Sequence, residues 1–336
     1  MLIGLTYDLR DDHRGSGLSD EAMAEFDSPE TIAAIENALH ARGHQTQRIG
    51  HVRILAQRLA AGDRWDLVFN IAEGLQGRAR EAQVPALLEA FGIPYSFSDP
   101  LTQALGLDKA MAKRVVRDAG IPTAPFAVLE TPADDSGLDL PFPIFLKPLA
   151  EGTGKGCEHA SKANGADQAA AAARSLRQRF RQPVLAESFL PGREFTVGIL
   201  GNGADARVIA VMEILLLDTA EAEIYSFQNK QQWETRVIYR LADDAEARAA
   251  GAAALAAYHA LGCRDAARID LRSDAAGIPN FLEVNTLPGL HPSHSDLPIL
   301  SAKAGLDYQG LIGGILDAAV RRCGLTESAE NLCAAL

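Results

Sequence analysis

The sequence predicts an α/β protein of two or three units, with a parallel sheet in the first. Three observations carry this expectation. Over the first hundred residues, short apolar runs alternate with helical segments ended by Gly or Pro, the pattern of parallel strands joined by crossover helices. At 336 residues, 47% apolar and 23% charged, the chain is long enough for more than one core and has a globular composition. Near its C-terminal third, Cys263–Asp270 and Phe281–Gly289 flank the turn Ser273–Gly277, which reads as a β-hairpin rich in chemistry-bearing side chains.

The elements follow in order. Residues 2–7 read as a buried strand. Ser28 and Pro29 open a helix as N-cap and first-turn proline; it runs to about Arg42 and Gly43 ends it. Asp66–Ile71 is a second strand, followed by a loop with Gly74 and Gly77. A helix over Ala82–Phe91 stops at Gly92, and Ile93–Ser96 reads as a further strand. Ligands of such a layer lie at the C-terminal ends of its strands. A second unit opens at Asp108-Lys109 with a helix to Ala119, stopped by Gly120-Ile121-Pro122. Strands at Phe126–Leu129, Ile144–Pro148 and Val184–Glu187 follow, with a turn-rich stretch at Pro132–Pro143 and an alanine-rich helix over 166–179. The third unit, from Glu194, holds the hairpin and an alanine-rich helix over 245–261. The expected division is 1–98, 99–193 and 194–336.

Composition excludes several function classes. With 32 basic and 44 acidic residues the net charge is −12, which disfavours non-specific nucleic-acid binding but not a nucleotide held by local lysines. No apolar run approaches a membrane span, and the N-terminus lacks the basic and apolar regions of a signal peptide. The four cysteines (157, 263, 323, 333) form no Cys-x-x-Cys pair, so reduced thiols in a cytoplasmic protein are expected, and no zinc site.

Alternate residues of a strand share a face, so the hairpin sets Arg268 and Asp270 beside Glu283 and Asn285, with Ile269, Leu271, Leu282 and Val284 on the buried side. Asp, Glu and Asn oxygens suit a hard ion such as Mg²⁺ that also binds nucleotide phosphates. The Arg suits charge developing on a reacting oxygen. The loop Gly152–Gly156 follows the strand carrying Lys147, and its glycines let backbone N–H groups approach phosphate oxygens, with Thr153 and Lys155 as added donors. It is not a P-loop, which needs Gly-Lys-Ser/Thr opening a helix. Lys109 sits in a helix's first turn, where a cation opposes the dipole, a local conflict typical of a functional residue. Glu187-Ser188-Phe189-Leu190 reads as a strand leaving for a hinge able to bind an adenine, with Glu194 placed for ribose hydroxyls.

Together these residues resemble the ATP-grasp enzymes, and most of all the D-alanine–D-alanine ligases. The matching motifs are Asp108-Lys109, Leu146-Lys147-Pro148, Glu151-Gly152-Thr153, Glu187 with Gly192–Val197, and the hairpin pair Arg268-Ile269-Asp270 and Glu283–Gly289, in order over roughly residues 66–300. The resemblance implies a three-domain ATP-grasp fold: an N-terminal α/β domain with a parallel sheet, a central ATP-binding lid domain and a C-terminal catalytic α+β domain. It implies ATP on Lys109, Lys147, Glu151, Gly152, Glu187, Ser188, Phe189, Leu190 and Glu194. Two Mg²⁺ ions, replaceable by Mn²⁺, would sit on Asp270, Glu283 and Asn285. Arg268 and the Gly289 N–H would steady the oxyanion, with Thr153 and Lys230 also in catalytic positions. A homodimer acting on small amino-acid substrates is implied, with no nucleic-acid or membrane partner.

The substrate side departs from the family. Glu73 stands where the ligases carry a His at the first amino-acid subsite, and Gln231 replaces a loop Tyr that closes over substrate, though Lys230 before it is kept. Glu25 is the approximate counterpart of a first-subsite Glu. The segment after Gly289 is one residue longer than is usual in the family, leaving Ser293 and Ser295 as rival acceptor contacts, while His291 and His294 read as pocket or surface residues rather than metal ligands. The expectation is an ATP-dependent carboxylate–amine ligase working through an acyl phosphate. D-Alanyl-D-alanine is its default product, and another dipeptide or amide the rival. A nucleotide-binding protein without ligase activity is the second alternative. The fixed charge of Glu73 and the lost Tyr ring predict a weak response to D-alanine alone and a better one to a larger or more basic donor.

Overall fold

The structure, a computed structural model, describes residues 1–13, 19, 21, 23–136, 138–221 and 224–325. In the first sheet β1 (Leu2–Thr6) lies between β2 (Gln45–Gly50) and β3 (Leu67–Asn70) and runs parallel to both. The helix Pro29–Ala41 starts where Ser28 Oγ accepts the Thr31 N–H at 3.3 Å and ends before Gly43 at φ +80°. Its Ile32, Ile35 and Leu39 pack on β1 and β3. The last described helix, Tyr308–Arg322, adds Leu311, Ile312, Ile315 and Leu316 to the same core, so the two ends of the chain share one apolar interior.

The expected strand at Ile93–Ser96 does not form. Only Tyr95 bridges Val68, flanked by bonds from Val68 N to Pro94 O and from Ser96 N to Val68 O. Pro94 has no N–H to extend a ladder. The strand that does complete the sheet, β2, reads Gln-Thr-Gln-Arg-Ile-Gly; as a largely polar edge it carries no apolar run.

The central sheet has the order β4-β7-β5-β6 and is antiparallel: β4 (Phe126–Leu129), β5 (Ile144–Pro148), β6 (Lys162–Ala163) and β7 (Val184–Ser188). The helix Ala166–Phe180 covers it with Ala169, Ala173 and Leu176, one helical stripe. The third sheet has the order β10-β9-β8-β11-β12, from β8 (Glu194–Leu200), β9 (Arg207–Leu216), β10 (Val237–Leu241), β11 (Ala266–Ser273) and β12 (Pro279–Asn285). Against it lies the helix Ala245–Ala260, whose buried Ala247, Ala250, Ala254 and Ala257 permit close approach. The helix Lys109–Asp118 also joins this third core through Ala112 and Val116. Its first residue, Lys109, therefore stands between the second and third sheets.

Two local devices position the site. Asp265, fully buried at φ +63°, accepts hydrogen bonds from Phe97 N and Asn202 Nδ2 (both 2.8 Å) and from Arg322 Nη2 (2.8 Å) and Nε (3.1 Å), tying three distant segments to the start of β11. The β11–β12 pairing pairs Arg268 with Asn285 and Asp270 with Glu283, then shifts register beyond Asp270. This bulge corrects the expected burial of Leu282: Ile269, Leu271, Phe281 and Val284 enter the core, while Leu282 turns beside Glu283 into the cleft. Among the described residues no helix is long and apolar enough to cross a membrane, and Cys157, Cys263 and Cys323 are unpaired; Cys333 lies outside the described residues.

Candidate active site

A cleft with a cavity volume of about 100 Å³ lies between the central and third sheets. Apolar walls of Phe145, Leu190, Ile214 and Leu282 line it together with the cations of Lys109, Lys147 and Lys230. The antiparallel pairing of β5 with β7 sets Phe145 opposite Glu187 and Lys147 diagonally across from it, 2.8 Å from the carboxylate, and Lys113 reaches the other Glu187 oxygen at 2.8 Å. Burial pushes the Glu187 carboxyl up, but the two lysines outweigh it and hold it down at about 2. Ser188 and Phe189 N–H groups donate to the Pro125 and Pro143 carbonyls, whereas the Leu190 N–H has no partner among the described residues. An apolar slot with a free hinge donor beside a cluster of lysines suits a nucleotide. Glu194 lines the same cleft, in contact with Arg272 at 3.3 Å, and burial raises its carboxyl.

The hairpin supplies the floor. Asp270 accepts from Thr196 Oγ1 (2.6 Å), from Arg268 Nε and Nη2 (3.3 and 3.2 Å) and from Asn285 Nδ2 (3.2 Å). Opposite it, Glu283 lies 3.4 Å from Lys109. Burial pushes the Glu283 carboxyl up, yet Lys109, Lys147, Lys230 and Arg268 overcome that and keep it ionised, well below the usual range. Two opposed carboxyl groups, one held ionised by cations, with an amide on the same strand face, form a hard-oxygen set that fits a divalent cation next to phosphates.

The Gly-rich loop differs from its expected use. Thr153 adopts φ +55° and lines the neighbouring cavity, but Lys155 is not a free donor: it is buried in ion pairs with Glu151 and, at 3.1 Å, Glu25. Lys109 Nζ donates to the Glu151 carbonyl, and Gly152 N–H to Glu25 Oε1 at 2.6 Å.

A second cavity adjoins the cleft, sharing Lys109, Glu151, Tyr225, Lys230 and Glu283 with it. It extends from Arg268, Asn285, Gly289 and Ser295 to Glu25, Asp27, Glu73 and Glu81 on the loops that follow β1 and β3. Ser295 lines this cavity and accepts the His291 N–H at 3.0 Å; Ser293 is exposed and does not line it. His291 and His294 rings lie 4.8 Å apart between centroids, tilted by 49°, with His291 3.5 Å from Glu30. Gln231 closes the short helix Phe227–Gln231, and its side chain lies outside the described residues. The pocket is nevertheless walled by rings: Tyr225, Trp233 and Tyr239 all line it. Tyr225 and Tyr239 hydroxyls meet at 2.5 Å, Tyr239 donates to Asp296 at 3.1 Å, and Asp296 lies 3.7 Å from Arg268.

Glu73 is not the lone charge expected of it. Burial pushes its carboxyl well up, and Glu81, Glu25 and Asp27 add to the rise against Arg80. Sequence reasoning missed Lys113, Arg80, Glu81, Asp27, Trp233, Tyr239 and Asp296. Lys113 could have been found: it is the i+4 neighbour of Lys109, one turn along the same helix face. The others come from separate loops, short helical turns, a helix start and the middle of β10, whose convergence no spacing announces.

Comparison with known proteins adds four findings. The family described as "D-ala D-ala ligase C-terminus" matches residues 115–317. A D-alanine–D-alanine ligase of Bordetella petrii is 36% identical over 287 residues, 83% of this chain and 82% of that protein. The uncharacterized protein y4sG of Sinorhizobium fredii is 35% identical over 259 residues, 76% of this chain and 75% of that one. The structure of a D-alanine–D-alanine ligase from Bacillus anthracis complexed with ATP has the same fold, with a TM-score of 0.71 at 23% identity over 96% of this chain and 99% of that one.

Proposed function

Since the chain belongs to the D-alanine–D-alanine ligase family and is an ATP-grasp carbon–nitrogen ligase, we propose that the cleft and the adjoining cavity work as one site for its two half-reactions. In the first, a donor carboxylate oxygen attacks the γ-phosphorus of ATP, the bond to the bridging oxygen breaks and ADP leaves. In the second, a neutral amine attacks the acyl phosphate carbon, phosphate departs with the C–O electrons, and the amine gives up a proton. The barrier is lowered by position and charge.

The residues divide accordingly. The Ser188–Leu190 hinge, through the Leu190 N–H, takes the adenine, with Glu187 at the same wall orienting Lys147, and Glu194 takes the ribose. Lys109 and Lys147 face the phosphates, with Glu151 and Gly152 beside them holding Lys109 and Glu25 in place. Asp270, Glu283 and Asn285 would hold two Mg²⁺ ions, or Mn²⁺ in their place, which neutralise phosphoryl charge when bound. Arg268 and the Gly289 N–H steady the oxyanion, while Thr153 and Lys230 stand on either side of the junction. Ser295 is the acceptor contact preferred over Ser293. The three sheets support the division 1–98, 99–193 and 194–336, although the helices Lys109–Asp118 and Tyr308–Arg322 pack across it. A cytoplasmic homodimer is the assembly proposed, on the family's habit alone.

The observation that carries the reading is the hairpin itself: Asp270 opposed to Glu283, with Arg268 and Asn285 on the same face, at the junction of the two spaces. D-Alanyl-D-alanine is the reference product. A different dipeptide is favoured by the second cavity, which is lined by eight carboxyl side chains against four from Lys and Arg. The test is ATP-dependent phosphate release over D- and L-amino acids, singly and in pairs. Stimulation by at least one pair, with a dipeptide seen by mass spectrometry, is expected. ATP binding without stimulation by any of them would favour the nucleotide-binding alternative.

A further inference from the structure

We infer that the donor amino acid carries a second cationic group on its side chain, an ammonium or guanidinium, and that Asp27, Glu73 and Glu81 form the subsite that receives it. The inference rests on the ligase reading above.

Some carboxyl groups of the cavity are already compensated. Glu25 is: Arg80 lies 3.0 Å and Lys155 3.1 Å from its Oε2, and the Gly152 N–H meets Oε1. Glu283 has Lys109, and Glu151 has Lys155. Asp296 accepts from Tyr239 and lies 3.7 Å from Arg268, and Glu30 lies 3.5 Å from His291, which leaves three with nothing comparable. Glu81 is only 9% exposed and lines the cavity, yet it makes no hydrogen bond or ion pair with any described residue. The side chains of Asp27 and Glu73 are likewise without a hydrogen-bond or ion-pair partner among the described residues.

The nearby arginines do not serve them. Arg80 spends its donors on Glu25 and on the Ala150 carbonyl at 2.9 Å. Arg10 donates to the Phe26 and Ala24 carbonyls at 2.8 and 3.1 Å rather than to Asp27. Carboxyl groups left unpaired when buried, as Glu81 is, or half-buried, as Asp27 and Glu73 are, are costly, so three around one space call for a cation from outside the protein. Burial accordingly pushes Asp27 up to about 8, with Asp8 adding and Arg10 opposing, and pushes Glu81 up to about 7 against Arg80.

Place decides which substrate the cation belongs to. The trio sits in the connections after β1 and β3, beside the Glu25 that meets the Gly-rich loop and whose charge acts on Glu73 and Glu81. A donor with its carboxylate at Lys109 and Glu283 would extend its side chain toward these loops. Glu25 is already neutralised, and a single α-ammonium cannot compensate three carboxyl groups, so a methyl side chain would leave most of the trio unmet.

The experiment uses the full chain and matched donors, D and L: lysine against norleucine and ornithine against norvaline, which share length and differ in charge. ATP-dependent phosphate release should give the cationic member of a pair at least a tenfold higher kcat/KM. Glu81→Gln and Glu73→Gln should each shrink that ratio at least threefold, and a ratio taken within one protein is unaffected by partial loss of folded material. Equal ratios in the unaltered protein, or ratios untouched in both variants, would overturn the subsite while leaving the ligase intact. No stimulation by any amino acid would instead bring down the ligase reading, and this inference with it.

Discussion

Replacing Glu283 by Gln removes one charge from the floor of the site and little volume. Glu283 lies 3.4 Å from Lys109, and at an effective dielectric of 20 a unit-charge pair at that distance is worth about 5 kcal/mol. Lys109 recovers part of that by turning to the Glu151 carbonyl, which it already contacts. What is not recovered is the stabilisation of charge moving between carboxylate and phosphoryl oxygens, for which a single lost contact typically costs about 3–4 kcal/mol. At about 1.4 kcal/mol per decade this is a fall of roughly 10²–10³ in turnover. The assay is ADP release at saturating ATP and amino acids, with urea unfolding as the control for folding. A folded variant that keeps more than about a tenth of the parental rate refutes the metal and charge-balance role given to this carboxylate.

Three further outcomes follow from the geometry. Lys147→Ala removes a buried cation 2.8 Å from Glu187, and a lost charge-assisted contact of about 1.5–3 kcal/mol predicts ATP binding weakened roughly 10- to 150-fold by calorimetry; unchanged affinity takes Lys147 out of the nucleotide site. Asp265→Ala strips Arg322, Asn202 and the Phe97 N–H of their shared acceptor, so the urea midpoint should fall by an amount equivalent to about 3–5 kcal/mol, and a change under about 1 kcal/mol contradicts its tying role. Asp27 titrates near 8 when folded against 3.8 ordinarily, so between those values the unfolded chain holds fewer protons and stability falls as pH rises; Asp27→Asn should flatten that slope in unfolding measured from pH 4 to 8.

How far the fold was legible depended on whether each element advertised a period. The buried strands β1, β3, β5 and β7 are short apolar runs, and the helices from Pro29, Lys109, Ala166 and Ala245 carry caps or alanine-rich faces, so they fall close to where the residues place them. β2 escaped because four of its six residues are Gln, Thr, Gln and Arg; an edge strand held by β1 needs no apolar run. Ile93–Ser96 misled for the converse reason, an apolar run whose proline cannot donate to a ladder. Leu282 misled because alternation assumes an unbroken register, and one bulge moves a side chain from core to cleft.

The site divides along the same line. Its nucleotide half is carried by regular elements, where chemistry forces residue types into fixed offsets: Arg268 and Asp270 two apart, Glu283 and Asn285 two apart, Lys147 beside the strand bearing Glu187. Its amino-acid half is assembled from the loops after β1 and β3, the 225–239 segment and the 289–296 turn, whose proximity depends on tertiary packing alone. There the residue-by-residue comparison with the family found Glu73, but could not show that Asp27 and Glu81 stand with it, or that Tyr225, Trp233 and Tyr239 supply rings where Gln231 has none. A single Glu in place of His suggests one added charge. Three unpaired carboxyl groups beside a Glu25 already neutralised by Arg80 and Lys155 amount to a site for a cation, and that difference exists only in three dimensions.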